Sequence, residues 1–525
     1  MKKIISETFC VRIFHVMAML LYAVLFCTSV FIIGVNREDR ADEYIIIEHN
    51  LVWRMILIIV VFGGAMLMLG LLYDKVLCKW NRNVLLWIAC VASFLVGIYW
   101  VSASGTEPLA DQGMICAYAN ALNDGDFNGI WKGGYLARHD HLLGLTTLLR
   151  GLFLVFGRGN YMAFQYLNAL MLPLIVFSGC QIVRKLSENN GKAELYYLVL
   201  IATCFPMYAY TAFVYGEVSS TAVALLATWL LLSCLEKFSV PKVITLALMA
   251  GIAVQLRKNT LIILIAFGIV VLVRSLRKFD WWVLVTGLSV LAGVLLTQSM
   301  VKGIYRDVWD EEARAIPAIL YVAMGLHEPN GHPGWFDNYV YIIFAENGDD
   351  VKVATEIALE DIRGYLARFK EDPGYMWYFY KTKINTQWQA PMYQSIVMNN
   401  NIAREQSRIV QMIYNEEPLG GLIKLYMKAF QLFMYGCILL WLLTHWEKKM
   451  PIEKYVLLIA VFGGFLFSII WEAKTRYIFP YLLLMIPYFS IGLKELTEWL
   501  AKLPMKFLQN KTNHKHQKSN RPTKV

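Results

Sequence analysis

Residues 142–156 read LLGLTTLLRGLFLVF: fifteen residues, apolar enough for a membrane but short for one, with Arg150 at their middle. A spanning helix needs about 20 apolar residues. Whether this run crosses decides the face on which every later loop lies. Around it stand clear apolar spans at 13–35, 55–73, 84–101, 161–183, 195–215, 218–235, 281–300, 426–444, 455–471 and 477–493. Two shorter ones, 243–256 and 260–273, flank the sequence RKN.

The positive charges decide the matter. If 142–156 does not cross, both termini are cytoplasmic. The short loops holding Lys75/Lys79/Arg82, Arg184/Lys185/Lys192, Lys237/Lys242, Arg274/Arg277/Lys278 and Lys448/Lys449/Lys454 then all face inward. If it does cross, every basic loop after it moves outside. Lys and Arg concentrate in short cytoplasmic loops, so the sequence predicts about twelve transmembrane helices. The run 142–156 becomes an amphipathic helix in the outer interface.

Composition agrees. Of 525 residues, 58% are hydrophobic and 17% charged, with mean hydropathy +0.47. Soluble proteins carry roughly 45–50% apolar and about 25% charged residues. A soluble enzyme, a disordered chain and a nucleic-acid-binding module are excluded. Eight of nine cysteines (Cys10, Cys27, Cys78, Cys90, Cys180, Cys204, Cys234, Cys437) lie in or beside apolar runs or in a basic loop, and Cys116 falls in a long polar loop. No disulfide framework or CxxC metal spacing emerges. The first 35 residues lack a small-residue cleavage site and read as a retained first span. The net charge of +10 is largely topological, since the tail 494–525 holds eight Lys/Arg against two Glu and suits an anionic inner leaflet.

The expected organisation is an all-α polytopic membrane protein in five parts. These are an N-terminal transmembrane hairpin (1–83), a catalytic transmembrane module (84–300) with an outer loop at 102–160, an extracytoplasmic domain (301–425), C-terminal transmembrane helices (426–493) and a basic cytoplasmic tail (494–525). The outer stretch 301–420 carries eleven Lys/Arg and seventeen Asp/Glu. Within it, Val353, Ile357, Ile362, Leu366 and Phe369 have helical spacing, and Asp372-Pro373-Gly374 ends that helix.

The chemistry gathers in the outer segments. In TEPLADQGMICAYANALNDGDF, Thr106 or Glu107 before Pro108 predicts a helix start. Asp111 then stands in the first turn, where the free backbone N–H groups favour a carboxylate. It serves either as a cap or as a catalytic group. Arg257 and Lys258 divide an apolar stretch into two short halves. Charge at such a break is a usual way to build a membrane site, although snorkelling to headgroups would also account for it. Twelve spans put that break level with Asp111, Glu217 and Arg476. His139, Asp140, His141, His327 and His332 follow no zinc spacing.

These residues, in order, resemble the GT-C membrane glycosyltransferases, whose branches include the protein O-mannosyltransferases and the lipid A aminoarabinose transferases. The likeness is carried by Pro108, Asp111, Ala119, Leu122, Gly125 and Asp126, then Glu217 in VYGEVSS, Arg257 and Lys258 in LRKNT, and WEAKTRYIFPYLLLMIP with Lys474 and Arg476. The pieces MGLHEPNGHPGWF and NTQWQAPMYQS resemble those of bacterial wall-polysaccharide members. Two features depart from the pattern. The catalytic loop follows the third span, so a hairpin (13–73) has been added. ARHDHLL also lacks the proline of relatives, which leaves Arg138 and His139 as weaker substrate-binding candidates.

The resemblance implies that Asp111 is the general base, deprotonating an acceptor hydroxyl that attacks the anomeric carbon of a polyprenyl-phosphate sugar with inversion. It implies donor-phosphate binding by Arg257, Lys258, Lys474 and Arg476, with Glu217 as a second acidic residue. The expected acceptor is an exported glycan, a teichoic-acid-like polymer, a lipid or a protein, and the only other partner expected is membrane lipid. No cofactor is expected, and a divalent metal is left open. A polyprenyl monophosphate has no pyrophosphate to chelate, so a DxD motif is not required. Two alternatives stand: a polysaccharide ligase using lipid pyrophosphate, and a secondary transporter, which predicts internal repeats and charge at the midplane.

Overall fold

The computed structural model describes residues 7–36, 44–277 and 279–519, with side chains as far as 502. Lys278 and the charges of the basic tail beyond Lys502 therefore lie outside the described residues.

The chain opens with α1 (Glu7–Phe31). The apolar run 13–35 predicts helix to Val35, but the helix ends four residues earlier and a strand begins at Ile32. β1 (Ile32–Asn36) pairs antiparallel with β2 (Ile45–His49), with Gly34 opposite Ile47. Both strands are rich in β-branched residues, which suit a pleated surface. Asn50 fixes the corner, its side-chain amide donating to the carbonyls of Ser29, Val30 and Ile32. The Gly34 N–H donates to the Gln389 carbonyl at 2.8 Å. Apart from this hairpin, the described elements are helical.

Next come α2 (Val52–Lys75) and α3 (Arg82–Ser104), then three helices in the first long loop: α4 (Asp111–Asn123), α5 (Tyr135–Arg138) and α6 (Leu143–Phe156). The following helices are α7 (Met162–Leu186), α8 (Gly191–Ala202), α9 (Phe205–Ala209), α10 (Glu217–Glu236), α11 (Val240–Leu256), α12 (Leu261–Arg277) and α13 (Trp281–Ile304). The second long segment holds α14 (Ala318–Leu326), α15 (Tyr339–Glu346), α16 (Val351–Glu371), α17 (Pro373–Trp388) and α18 (Arg408–Tyr414). The chain closes with α19 (Pro418–Thr444), α20 (Val456–Ile470) and α21 (Phe479–Ser519).

Among the described residues, ten helices are long and apolar enough to cross a membrane. The segments 191–202 and 205–212, bent by 51° at their break, together make an eleventh. The apolar α11, with 17 residues, is the remaining one of the twelve expected segments. The expected span 195–215 is thus bent, because Pro206 cannot continue the hydrogen-bond ladder of α8. The decisive run 142–156 forms α6, only 14 residues long and outside the candidate spans. It lies against α4, where Arg150 donates to the Asn123 side chain at 2.9 Å, and Leu154, Val155 and Phe156 are left exposed.

Burial grades inward. The span window of α10 is 89% buried and that of the last span 83%, against 28% for α2 and for α13. The inner helices therefore carry the polar side chains, and the outer ones leave apolar faces for lipid. In the second long segment, α14 to α16 share a small core of Leu320, Met324, Val340, Phe344, Ala354 and Ala358. The helix predicted at 352–370 is α16. Asp372 ends it and at once caps α17 by accepting from the Tyr375 N–H.

Candidate active site

α3 stops at Gly105, whose φ of +65° favours glycine and where a Cβ would lie 2.3 Å from the Arg404 carbonyl oxygen. The predicted helix start at Thr106–Pro108 does not occur. The Glu107 N–H is taken by the Asn401 carbonyl and Thr106 bridges to Ile402, so both residues are committed to pairing between segments. The helix begins at Asp111 instead, after Ala110 at φ 50°, ψ −126°. That conformation costs a non-glycine residue on the order of 1–3 kcal/mol. Next in sequence, buried Gln112 ties α4 down, accepting from the Val214 N–H at 2.8 Å and donating to the Met398 carbonyl at 3.2 Å.

Asp111 itself stays open, its side chain 39% exposed. One oxygen accepts from the Tyr135 hydroxyl at 3.1 Å, and the other lies 3.5 Å from the Arg476 guanidinium. Burial opposes its ionisation. Arg476, Lys474 and the Tyr135 hydrogen bond outweigh that and hold the carboxyl below its ordinary value. Tyr135 is held in turn by stacking on Tyr118, with ring centroids 5.7 Å apart.

Arg476 and Arg257 arrive from different breaks in the bundle. Arg257 closes α11 with extended backbone, and Gly216 approaches so near that a Cβ there would meet the Leu256 carbonyl oxygen at 2.1 Å. This contact brings Glu217 within 2.5 Å of the Arg257 guanidinium. Arg476 is oriented by its backbone N–H, which donates to the Gln394 side chain at 3.2 Å. The two guanidiniums lie over the same two rings. Arg257 is 5.6 Å from the centroids of Tyr215 and Tyr477, and Arg476 is 5.4 and 5.3 Å from them. Both arginines are buried, and the Nε atoms of both, with one Glu217 oxygen, find no hydrogen-bond partner. Buried guanidinium nitrogens without partners are costly, and an incoming oxyanion would satisfy them. Beside Arg257, a small cleft opens between Ser220, Thr221, Asn259, Tyr477 and Tyr481.

The structure therefore brings together Asp111, Glu217, Arg257, Lys474 and Arg476. The remaining candidates are engaged by other partners. Lys258 is 58% exposed and 3.9 Å from Asp140. Arg138 forks onto Asp349 at 2.8 and 3.1 Å, fastening the first loop to the second long segment. His139 is buried between two tyrosines, 2.7 Å from the Tyr341 hydroxyl and 3.4 Å from that of Tyr321. Burial, more than its charged neighbours, lowers His139 to about 4, so it is neutral near pH 7. Among the described residues, no group of three His, Cys, Asp or Glu is placed to hold a metal. His327 pairs with Asp337 at 2.6 Å and His332 stacks on Tyr44.

Sequence reasoning passed over Tyr135, Tyr215, Tyr477 and Gln394. Tyr215 and Tyr477 lay inside quoted motifs, two residues before Glu217 and directly after Arg476. Gln394 lay inside the quoted piece NTQWQAPMYQS, and Tyr135 carried no local signal.

No protein-family model and no curated protein matches the chain. Two similar solved structures are oligosaccharyltransferases of Archaeoglobus fulgidus. An apo form aligns at 13% identity and TM-score 0.43, covering 84% of this chain and 53% of that one. AglB, in complex with an inhibitory peptide and a dolichol-phosphate, aligns at 12% identity and TM-score 0.41, covering 82% and 52%. The chain spans about half the length of these neighbours. At such distance the likeness carries no functional argument, and function rests on the residues themselves.

Proposed function

We propose that this protein is an inverting membrane glycosyltransferase of GT-C type, moving a sugar from a polyprenyl-phosphate donor to the hydroxyl of an exported acceptor. One observation carries the reading: an accessible, ionised Asp111 stands 3.5 Å from a buried Arg476 that shares two tyrosine rings with Arg257. The arrangement suits displacement at an anomeric carbon. Asp111 accepts the proton of the acceptor hydroxyl as its oxygen bonds to the sugar. The bond from anomeric carbon to phosphate oxygen breaks, and the lipid phosphate leaves carrying the electron pair. The arginines meet the charge developing on that phosphate, and their planar forks match its oxygens. A carboxyl held below its usual value is a weak base, which suits a transition state of oxocarbenium character in which bond breaking leads.

The membrane sidedness belongs to the same proposal: both termini and the basic loops cytoplasmic, the Asp111 end extracytoplasmic. The test is to incubate the purified protein with a panel of polyprenyl-phosphate sugars and measure released polyprenyl phosphate. Release that depends on Asp111 supports the reading. Turnover only of a pyrophosphate-linked donor would replace it with the ligase.

A further inference from the structure

Residues 471–474 alone separate the end of α20 from the 3₁₀ turn Thr475–Ile478 that carries Arg476. A binding group works only if it is held to about 0.5 Å of its productive position. A short link between two helices does not supply that by itself, and contacts from elsewhere in the chain do. The Ala473 N–H donates to the Gly334 carbonyl at 2.6 Å, and Trp335 bridges to Ala473. The Thr475 hydroxyl donates to the Thr386 carbonyl at 3.0 Å, and the Arg476 N–H donates to the Gln394 side chain at 3.2 Å. The Trp335 indole N–H, 3.4 Å from the Thr386 hydroxyl, ties these supports to one another.

The supports rest in turn on the N-terminal hairpin. Ile45 of β2, 2% exposed, packs in one cluster with Trp335, Ala390 and Ala473. Tyr44, just before it, stacks on His332 with ring centroids 3.9 Å apart. On the neighbouring strand the Gly34 N–H donates to the Gln389 carbonyl at 2.8 Å, and a Cβ at Gly34 would lie 3.1 Å from the Ala390 Cα. The Gln389 side-chain amide reaches back to α1, donating to the Leu25 carbonyl at 3.1 Å and to the Thr28 hydroxyl at 2.7 Å. The hairpin therefore meets both stretches that hold the backbone around Arg476. No described hairpin residue lines the cleft beside Arg257.

We propose that the hairpin is a buttress for Arg476, and that Ile45 and Gln389 are positioning residues for the donor phosphate. The assignment rests on the glycosyltransferase reading above. Neither side chain carries charge, and each acts through the backbone that bears the guanidinium. Shortening Ile45 opens space against Ala473 and lets the link 471–474 shift. Removing the Gln389 amide frees the stretch ending at Gln394 from α1. A small shift suffices, because a misplacement of about 1 Å can cost about 10²-fold in rate.

The experiment uses the full chain and measures inhibition of turnover by bare decaprenyl phosphate, with thermal unfolding followed in parallel. Ile45→Ala and Gln389→Leu should each raise the inhibitory concentration by roughly tenfold, as weakening of a charge-assisted bond implies. Ile45→Val keeps most of the packing and should stay near wild type. In an Arg476→Ala chain, Ile45→Ala should raise the inhibitory concentration no further, because the group it places is gone. Gln389→Leu deletes two hydrogen bonds and keeps its bulk, so it carries the test if Ile45→Ala does not fold. Lowered unfolding temperatures with unchanged inhibition in both variants would make the hairpin merely structural and overturn the proposal. An Ile45→Ala loss that adds in full to that of Arg476→Ala overturns it as well. Both results leave the glycosyltransferase reading standing. Wild type that neither releases nor binds decaprenyl phosphate would remove that reading, and this proposal with it.

Discussion

The two ends of the helix bundle use the same residue types to opposite effect. At one end Glu194, 2% exposed, is clamped by Arg82 and Arg184 and also accepts from the Cys180 thiol. Lys192–Asp74, Lys185–Glu236, Lys454–Glu188 and Arg274–Glu453 surround it. At the other end Asp111 is more than a third exposed, and the nearby arginines keep unpartnered nitrogens. A carboxylate with both oxygens bound by arginine is a joint. A carboxylate facing arginines whose Nε atoms still lack partners is a place for something else. Charge alone does not separate the two; satisfaction does.

The sharpest way to break this contrast is to ask which end faces the cytoplasm, since the outcome is all or none. In a chain with Cys27 and Cys78 replaced by Ser, a cysteine at Lys449 should be labelled only from inside and one at Glu346 only from outside. The reverse pattern would place the site on the wrong face for an exported acceptor. Next in size is Asp111→Asn, expected to cut turnover by about 10²–10⁴-fold, the usual worth of a general base, with thermal unfolding unchanged. Near-normal turnover would reduce Asp111 to a helix-end residue. Glu194→Gln should do the converse. It strands two arginines and should cost roughly 3–5 kcal/mol of stability, while turnover per folded molecule is retained; a loss confined to turnover would merge the two ends.

Smaller effects sharpen the picture. Arg476→Ala and Arg257→Ala should each lower kcat/KM by about one to two decades, from a lost charge-assisted bond. Lys in their place should rescue only in part, because an ammonium lacks the fork; full rescue would mean simple snorkelling. The smallest expected change is a displaced pH limb. Asp111 is held below its ordinary value, so its ionised form and the activity persist as pH falls through the ordinary carboxylate range and are lost only below it. Tyr135→Phe removes one stabilising hydrogen bond and should move the acid limb of kcat/KM to higher pH. An unmoved limb would show that Tyr135 does not act on the carboxyl.

Much of the architecture was legible because lipid imposes a simple rule: long apolar runs become candidate spans, and the short run with Arg150 falls outside them. The misreadings were local. Ile32, Ile33 and Val35 are as apolar as the helix before them, so hydropathy could not tell a strand from its continuation. Pro108 looked like a helix start until the pairing of Glu107 with Asn401 claimed its neighbours' backbone. At the site, Arg257 stood out as charge dividing an apolar stretch, and Asp111 and Arg476 stood out through the motifs that carry the resemblance. Their mutual arrangement did not, because it depends on Gly216 meeting Leu256 and on Gln394 meeting Arg476. Arg138 shows the converse: a basic residue in the expected place, whose partner Asp349 lies far along the chain.

The pairing of Asp111 with Arg476 also bears on biosynthesis. Asp111 follows α3, whereas Arg476 precedes the last helix, so the carboxylate emerges from the ribosome long before the group it faces. Glu194, Arg82 and Arg184 all lie in the first half, and the opposite end of the bundle can lock while translation continues. The end holding Asp111 is completed last, once the segment between α20 and α21 has been made. A stalled or truncated chain would therefore be anchored and partly folded, yet would carry Asp111 without its arginine. Such a fragment should release no lipid phosphate, so premature termination yields an inert membrane protein.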